Sequence, residues 1–179
     1  GQDGIALAAI PHSTGRVGVN YRDRDYLKPV LHDGKTSISE PLIGRTSKVP
    51  VVVIAVPLRN ELGQIIGALA GVVNMVEDSF LDRITRSHFG RGDHYLLVTP
   101  KERRIATATD KQRVMEQLPP VGETPLLDRF MRGFEGADIT TNRRGEEVLA
   151  SARIVPIAGW YVIAQLPTEK AFAPIREMQ

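Results

Sequence analysis

Two apolar runs joined by a short turn constrain the fold of this chain most strongly. Residues 51–58 are rich in Val and Ile, residues 60–63 read Asn-Glu-Leu-Gly, and residues 64–74 form a second apolar run. β-Branched runs bounded by turn residues are typical of strands, and a four-residue turn that ends in glycine joins antiparallel neighbours. The sequence therefore predicts a β-hairpin at the centre of a sheet.

The remaining patterns predict an α+β fold made of two similar units. In the first unit, strands are expected over residues 5–10 and 37–43, and helices over residues 25–31 and 78–88. In the second unit, strands are expected over residues 94–99, 104–108, 135–141, 146–155 and 160–166, and helices over residues 111–118, over residues 124–134 and from residue 168 onward. Each unit thus combines a mainly antiparallel sheet with flanking helices.

The order of these elements repeats along the chain. The segment Ile-Ala-Leu-Ala at residues 5–8 corresponds to Ile-Ala-Thr-Ala at residues 105–108, and each is followed by a helix and then by a hairpin. We therefore expect two units in tandem, residues 1–90 and residues 91–179. The second unit has a strand before its Ile-Ala segment, whereas the corresponding strand of the first unit would precede Gly1, so we expect the chain to be a piece of a longer protein.

Charge and composition exclude several classes of function. The chain has 179 residues, with 23 Lys and Arg against 21 Asp and Glu, and its basic residues alternate with acids, as in Arg22-Asp23-Arg24-Asp25. Nucleic-acid binding requires clustered positive charge, so no nucleic-acid partner is expected. The absence of Cys excludes thiol catalysis and disulfides, and the apolar runs are shorter than the roughly 18 residues of a membrane span.

No pattern predicts catalysis, a metal site or a cofactor. The four His residues lack the spacing of metal ligands, and no nucleophile elbow or phosphate-binding loop occurs. Two segments allow a functional interpretation beside a structural one. Residues 22–26 are either a solvated helix start or a pocket wall with one Arg and one Tyr, and residues 44–47 are either a plain turn or an anion-binding loop with Arg45.

An ordered series of motifs resembles the double Cache (dCache) family of sensor domains, whose units have a PAS-like fold. The motifs are Arg-Asp-Arg-Asp-Tyr-Leu at 22–27, Ile-Ser-Glu-Pro at 38–41, Gly-Arg-Thr-Ser at 44–47, Pro-Val-Val-Val-Ile-Ala-Val-Pro at 50–57, Gly-Ala-Leu-Ala-Gly-Val at 67–72, Ala-Gly-Trp-Tyr-Val-Ile at 158–163 and Pro-Thr-Glu-Lys-Ala-Phe at 167–172. The resemblance also implies a long N-terminal helix and a first strand, both absent from this sequence.

The resemblance implies a small-molecule site in the first, membrane-distal unit. Arg24 and Tyr26 match the Arg-x-aromatic element that contacts a ligand carboxylate, and the expected site is completed by Arg45, Val53, Ala55 and Val72. Amino-acid-binding members carry a second aromatic after the first and an Asp on the last hairpin strand, where this chain has Leu27 and Val72. Because an ammonium without a carboxylate partner is costly to bury, we expect a small organic acid or another non-amine metabolite as the ligand, with a carboxylate favoured.

The resemblance further implies the periplasmic part of an inner-membrane signalling protein, a diguanylate cyclase or a histidine kinase, that dimerises in the intact receptor and meets the membrane only through flanking helices. Ligand binding in the first unit is expected to shift the packing of the second unit and of the last helix. The domain itself is expected not to be an enzyme. Two alternatives remain: a structural or dimerisation module with a degenerate pocket, and a small hydrolase.

Overall fold

The protein consists of two compact units, Gly1–Glu77 and Asp78–Gln179. The computed structural model describes residues 1–11, 15–77 and 94–173. In both units the sheets are antiparallel, and short helices accompany them, so the predicted α+β class is confirmed. The unit boundary expected at residue 90 and the helix expected over residues 78–88 lie outside the described residues.

One long strand organises the sheet of the first unit. This strand, β3 (Pro50–Arg59), pairs along its length with β4 (Ile65–Asn74), and it also pairs with the short strands β1 (Ser37–Ile38) and β2 (Leu42–Ile43). Because β4 occupies one edge of β3, both short strands must lie along the other edge. The predicted hairpin is confirmed, with all pairings antiparallel. Its expected place at the centre of the sheet holds for β3 only, because β4 pairs with no other strand among the described residues.

The predicted strand over residues 37–43 is divided in two. β1 pairs with Ile54 and Ala55 of β3, and β2 pairs with Pro50 and Val51. The interruption contains Pro41, which has no backbone N–H to donate to a ladder. The two short strands therefore pair with the same strand, β3, and are separated by a break in the ladder.

The strand predicted over residues 5–10 is wrong. The segment makes a single bridge, between Ile5 and Asn20. Leu7 and Ile10 are 73% and 91% exposed, so the apolar character of this run does not place it in the core. A strand requires a neighbour along its length, whereas the backbone pairing of this segment with residues 18–20 is confined to Ile5 and Ala6.

Helix α1 (Leu27–His32) covers the inner face of the first sheet. It begins after Tyr26, and Pro29 lies in its first turn, where a missing N–H removes no helical hydrogen bond. Leu27 and Val30 are buried and belong to the same core cluster as Val51, Val53 and Ala55 of β3. The helix ends before Gly34, whose φ of +63° is a conformation that favours glycine.

The second unit contains a five-stranded antiparallel sheet in the order β6-β5-β9-β8-β7. Its strands are β5 (His94–Thr99), β6 (Arg104–Ala108), β7 (Gly136–Thr141), β8 (Glu147–Val155) and β9 (Trp160–Pro167), and its helices are α2 (Pro125–Met131) and α3 (Thr168–Ala171). All five predicted strands are present. The core lies between the sheet and α2, where Phe130 of α2 packs with Val98, Ile105 and Ile163.

The helix predicted over residues 111–118 is reduced to a 3-10 turn at Lys111–Arg113. Beyond this turn the backbone bonds to its neighbour: Met115 N–H donates to the Ile105 carbonyl and Ile105 N–H donates to the Glu116 carbonyl, both at 2.9 Å. The segment therefore runs beside β6, and these hydrogen bonds replace those of the expected helix.

An ion pair fixes α2 to the loop that precedes it. The Asp128 carboxylate accepts from Gly122 N–H at 2.7 Å and from Arg103 Nη2 at 2.9 Å. These two hydrogen bonds, the backbone one foremost, hold the pKa of Asp128 below its ordinary value. The Arg103 guanidinium also donates to the Pro119 carbonyl at 2.7 Å. Arg103 therefore connects the β5–β6 turn both to α2, through Asp128, and to the loop before α2, through Pro119.

Candidate functional site

A cavity of about 590 Å³ lies in the first unit. This first-unit cavity is bounded by the β3–β4 hairpin, by residues 4–10, by the segment that leads into α1 and by the loop at residues 44–47. Its volume falls within the range of roughly 300–1,000 Å³ that small-molecule sites occupy. Most of the lining side chains are aliphatic or aromatic, with a few polar groups among them.

The structure brings five of the six predicted site residues to this cavity. The five are Arg24, Tyr26, Arg45, Val53 and Val72. Val53 and Val72 are directly opposite each other on β3 and β4. The sixth, Ala55, is fully buried in the core and is not part of the lining. The binding roles of all six residues stay predictions.

Two successive turns place Arg24 and Tyr26 beside each other at the start of α1. Arg24 N–H donates to the Tyr21 carbonyl at 2.9 Å, and Leu27 N–H donates to the Arg24 carbonyl at 3.0 Å. These bonds wind the chain before the helix begins, so that both side chains reach the cavity from the same short segment. The segment is a turn rather than the Asp-capped helix start expected from the sequence, because Tyr26 occupies the cap position without a side-chain hydrogen bond.

Arg45 is held in place by internal contacts. Its Nη2 lies 2.6 Å from Asp23 Oδ2, its Nη1 donates to the Asn20 carbonyl, and its guanidinium lies 5.6 Å from the centre of the Tyr21 ring. The hydrogen bond from Arg45 is the main cause that lowers the pKa of Asp23. The charge of Arg45 is therefore matched by a carboxylate of the same unit.

Arg24 has no carboxylate partner among the described residues. Its Nη2 makes one long hydrogen bond, at 3.4 Å, to the carbonyl of Ile43. Its Nε is buried without any hydrogen-bond partner. A buried donor that lacks a partner costs roughly 1–3 kcal/mol, so the Arg24 guanidinium is a group that an anion in the cavity would stabilise.

Tyr26 supplies a buried aromatic wall with one polar tip. The residue is 8% exposed, and its burial raises the pKa of the phenol above the ordinary value. The hydroxyl is therefore protonated at neutral pH, where it can both donate and accept a hydrogen bond.

The sequence analysis missed one charged residue of the cavity. Arg16 is part of the lining, as are several residues of the 4–10 segment. Arg16 precedes a turn and belongs to no motif, so no pattern in the sequence indicated it. The charged side chains among the described lining residues are therefore those of Arg16, Arg24 and Arg45, and all three are cations.

The described residues contain neither a cluster of metal-binding side chains nor a membrane-spanning helix. Among residues 1–11, 15–77 and 94–173, no three His, Asp or Glu side chains gather closely enough to hold a metal ion. In the same residues, no helix has the length and apolar character needed to cross a membrane. His12 and His88 lie outside the described residues.

Solved extracellular domains of bacterial receptors share this fold. The ligand-binding domain of the Pseudomonas aeruginosa PAO1 amino acid chemoreceptor PctB, in complex with L-Arg, has 23% identity and a TM-score of 0.66, with 93% of this chain and 68% of that chain covered. The extracellular domain of the putative histidine kinase mmHK1S-Z3 has 17% identity and a TM-score of 0.71, with 91% and 60% covered. The periplasmic sensory domain of the Campylobacter jejuni chemoreceptor Tlp1 has 17% identity and a TM-score of 0.64, with 88% and 60% covered.

The match to a protein family extends over nearly the whole sequence. The chain spans less than two thirds of the length of several solved domains that it resembles, whereas the dCache_1 family, described as a Cache domain, matches residues 2–175. This family consists of ligand-binding sensor domains rather than enzymes. The predicted resemblance is therefore confirmed, and the chain belongs to the Cache domain family.

Proposed function

We propose that this chain is the extracytoplasmic sensor domain of a transmembrane signalling protein, and that its first unit binds a small organic acid. The observation that carries the proposal is the unmatched guanidinium of Arg24 at the wall of the first-unit cavity. An Arg is suited to a carboxylate because its planar donors match the two oxygens.

The charges around the cavity support an anionic ligand. The charged lining residues are Arg16, Arg24 and Arg45, and no Asp or Glu of the described residues is part of the lining. Asp23 offsets the charge of Arg45 from outside the lining. A surplus of positive charge therefore remains in the cavity, on Arg24 and Arg16, neither of which has a carboxylate partner among the described residues.

The same charges disfavour a ligand that carries an ammonium. Val72 is at the position where amino-acid-binding relatives are expected to have an Asp, and its opposite neighbour is Val53. PctB was solved with L-Arg, and the Pseudomonas fluorescens chemoreceptor CtaA with L-serine. In this chain an ammonium in that place would have aliphatic neighbours and no counter-ion, which makes its desolvation unfavourable.

The family context supports the remaining parts of the proposal. The solved relatives include extracellular domains of putative histidine kinases and the periplasmic sensory domain of a chemoreceptor. We place this domain outside the inner membrane, in a receptor that acts as a dimer and whose output is a diguanylate cyclase or a histidine kinase. Binding transmits a signal only if the ligand has different affinities for two states of the domain.

A thermal-shift screen tests the proposed ligand class. Wild-type protein and the Arg24→Ala variant are screened against short mono- and dicarboxylates, amino acids and purines. A ligand at 100 times its Kd stabilises the folded state by about 2.7 kcal/mol, so a true ligand gives a clear shift of the melting temperature. We expect a carboxylate to shift the wild-type protein and to have no effect on Arg24→Ala.

The matched control is Arg22→Ala, because Arg22 is exposed, lies two residues away and is not part of the lining. This variant should keep the wild-type response. A carboxylate response that survives Arg24→Ala would show that the site is elsewhere. If only amino acids or purines shift the wild-type protein, the proposed ligand class is wrong, and if nothing does, the structural-module alternative is favoured.

A further inference from the structure

A second cavity, of about 270 Å³, lies in the second unit. The floor of this second-unit cavity is apolar and includes Leu96, Ala108, Phe130 and Ile163, all of them buried side chains of the unit's core. At about 30 Å³ of liquid volume for each water molecule, the space equals roughly nine waters. It is therefore large enough for a small metabolite and too small for a nucleotide.

The mouth of this cavity carries a surplus of positive charge. Arg113, Arg143, Arg144 and Asp110 are the residues with charged side chains in its lining. Glu116, outside the lining, accepts from Arg113 Nε at 2.9 Å and also from Arg143. Three guanidinium groups thus face two carboxylates, which leaves one positive charge without a counter-ion.

Of these three arginines, Arg144 is the one without an acidic partner among the described residues. Its side chain is exposed and makes no hydrogen bond or ion pair with the described residues; its backbone N–H donates to Asn142 Oδ1 at 2.8 Å within the β7–β8 turn. Arg113 and Arg143, by contrast, share Glu116. Arg144 is therefore the guanidinium that can bind an incoming anion without breaking an existing ion pair.

We propose that the second-unit cavity is a separate binding site for a small monocarboxylic acid with an apolar chain. The chain of the acid packs on the floor formed by Leu96, Phe130 and Ile163, and its carboxylate contacts Arg144 at the mouth. A sugar or a dicarboxylate fits less well, because any of its polar groups that reach the floor would meet Leu96, Phe130 and Ile163 without hydrogen-bond partners. An amine is disfavoured by the positive mouth.

This proposal goes beyond the function proposed for the first unit and does not depend on it. All the residues that carry it belong to the second unit, and Arg24 takes no part. The domain would then respond to two acids, one in each unit, and the second site would discriminate by chain length because the floor is closed by core side chains.

Solution NMR with hexanoate as the probe tests this site directly. The full 179-residue chain is titrated with hexanoate. The chemical shifts of the backbone amides are followed at Leu96, Ala108 and Ile163. We expect saturable shifts at these amides, and we expect hexan-1-ol, which has the same chain without the charge, to bind roughly ten-fold more weakly. Equal binding of the alcohol, or no shift at these amides at millimolar hexanoate, would overturn the proposal.

Two exposed arginines provide a matched pair of variants. Arg144→Gln removes the unmatched guanidinium and is expected to weaken hexanoate binding roughly ten-fold at the second-unit amides. Arg153→Gln removes an exposed Arg that pairs with Glu135 at 3.5 Å outside the cavity, and should leave binding unchanged. If both variants weaken binding equally, the effect is one of overall charge and the assignment to Arg144 is wrong.

Discussion

Arg24 and Arg45 are placed at the same cavity but differ in what surrounds them. Arg45 has Asp23 at 2.6 Å and the Tyr21 ring beside it, whereas Arg24 has one long hydrogen bond and a buried Nε without a partner. A sequence motif alone cannot make this distinction, since both residues are arginines in polar segments. The distinction supports the proposal that Arg24 contacts the ligand and that Arg45 has a supporting position.

A carboxylate introduced at position 72 should change the ligand class. Val72 is 36% exposed and lines the first-unit cavity, so Val72→Asp can be accommodated without burying the new charge completely. Repulsion between like charges should weaken binding of the organic acid at least roughly ten-fold, and L-alanine, whose ammonium gains a partner, should begin to bind. Isothermal titration calorimetry measures both affinities.

The control for this change is Val76→Asp, which adds the same charge at an exposed position outside the cavity. It should leave the affinity for the acid within about two-fold of wild type, as expected of a screened charge at a distance. If Val72→Asp has no more effect than Val76→Asp, then β4 does not contact the ligand.

The elements predicted best are those whose partner is next to them in sequence. The β3–β4 hairpin was predicted correctly because its two strands and its turn are contiguous, so that local pattern determines the pairing. The segment at residues 5–10 was predicted wrongly because its apolar run does not specify a partner. Residues 114–118 bond to β6 instead of forming a helix, a choice that depends on the position of β6 and not on their own propensity.

The candidate site was predictable to a similar extent. Arg24, Tyr26 and Arg45 come together because each belongs to a motif with a defined place in the fold. Ala55 is in the core instead, because its small side chain is fully buried and leaves no surface to the cavity. Arg16 could not have been predicted, because its position depends on how an irregular segment runs across the unit.

The attachment of α2 should depend on pH through Asp128. Because the pKa of this carboxyl is lowered in the folded protein, its ionised form stabilises the fold at neutral pH, and this contribution is lost as the pH falls below about 4, the ordinary range for Asp. Asp128→Asn should lower the urea midpoint at pH 7, and its difference from wild type should shrink between about pH 4 and pH 2.

Asp33→Asn, at an exposed carboxylate of the first unit, is the control for this measurement. It should leave the urea midpoint close to that of wild type across the same pH range. A difference between Asp128→Asn and wild type that stays constant from neutral to acid pH would mean that the amide disturbs packing, and that the charge of Asp128 contributes nothing.

The whole molecule carries little net charge, and the positive charges proposed to bind the ligand are grouped at the first-unit cavity. The formal net charge is +2, yet among the described residues the charged side chains that line the first-unit cavity are all those of arginines. Attraction of an anionic ligand must therefore come from a few placed side chains and not from a general basic surface. Local attraction of this kind is sensitive to ionic strength where the charges are reached by solvent.

Raising the salt concentration should weaken binding of the organic acid without unfolding the domain. The screening length falls from about 10 Å at 0.1 M to about 3 Å at 1 M salt, so the affinity measured by calorimetry should fall several-fold over that range. The urea midpoint at both concentrations verifies that the fold persists. An affinity that does not change with salt would indicate a neutral ligand, held by the aliphatic walls.

The Asp23–Arg45 pair has a consequence for selectivity. A carboxylate can approach Arg24 and leave the pair intact, whereas a carboxylate that binds Arg45 must first displace Asp23. Asp23 therefore competes with a ligand carboxylate for Arg45, and its effective concentration is fixed because it belongs to the same chain. The first unit would thus favour ligands whose carboxylates reach Arg24 or Arg16, the two lining arginines without a carboxylate partner among the described residues.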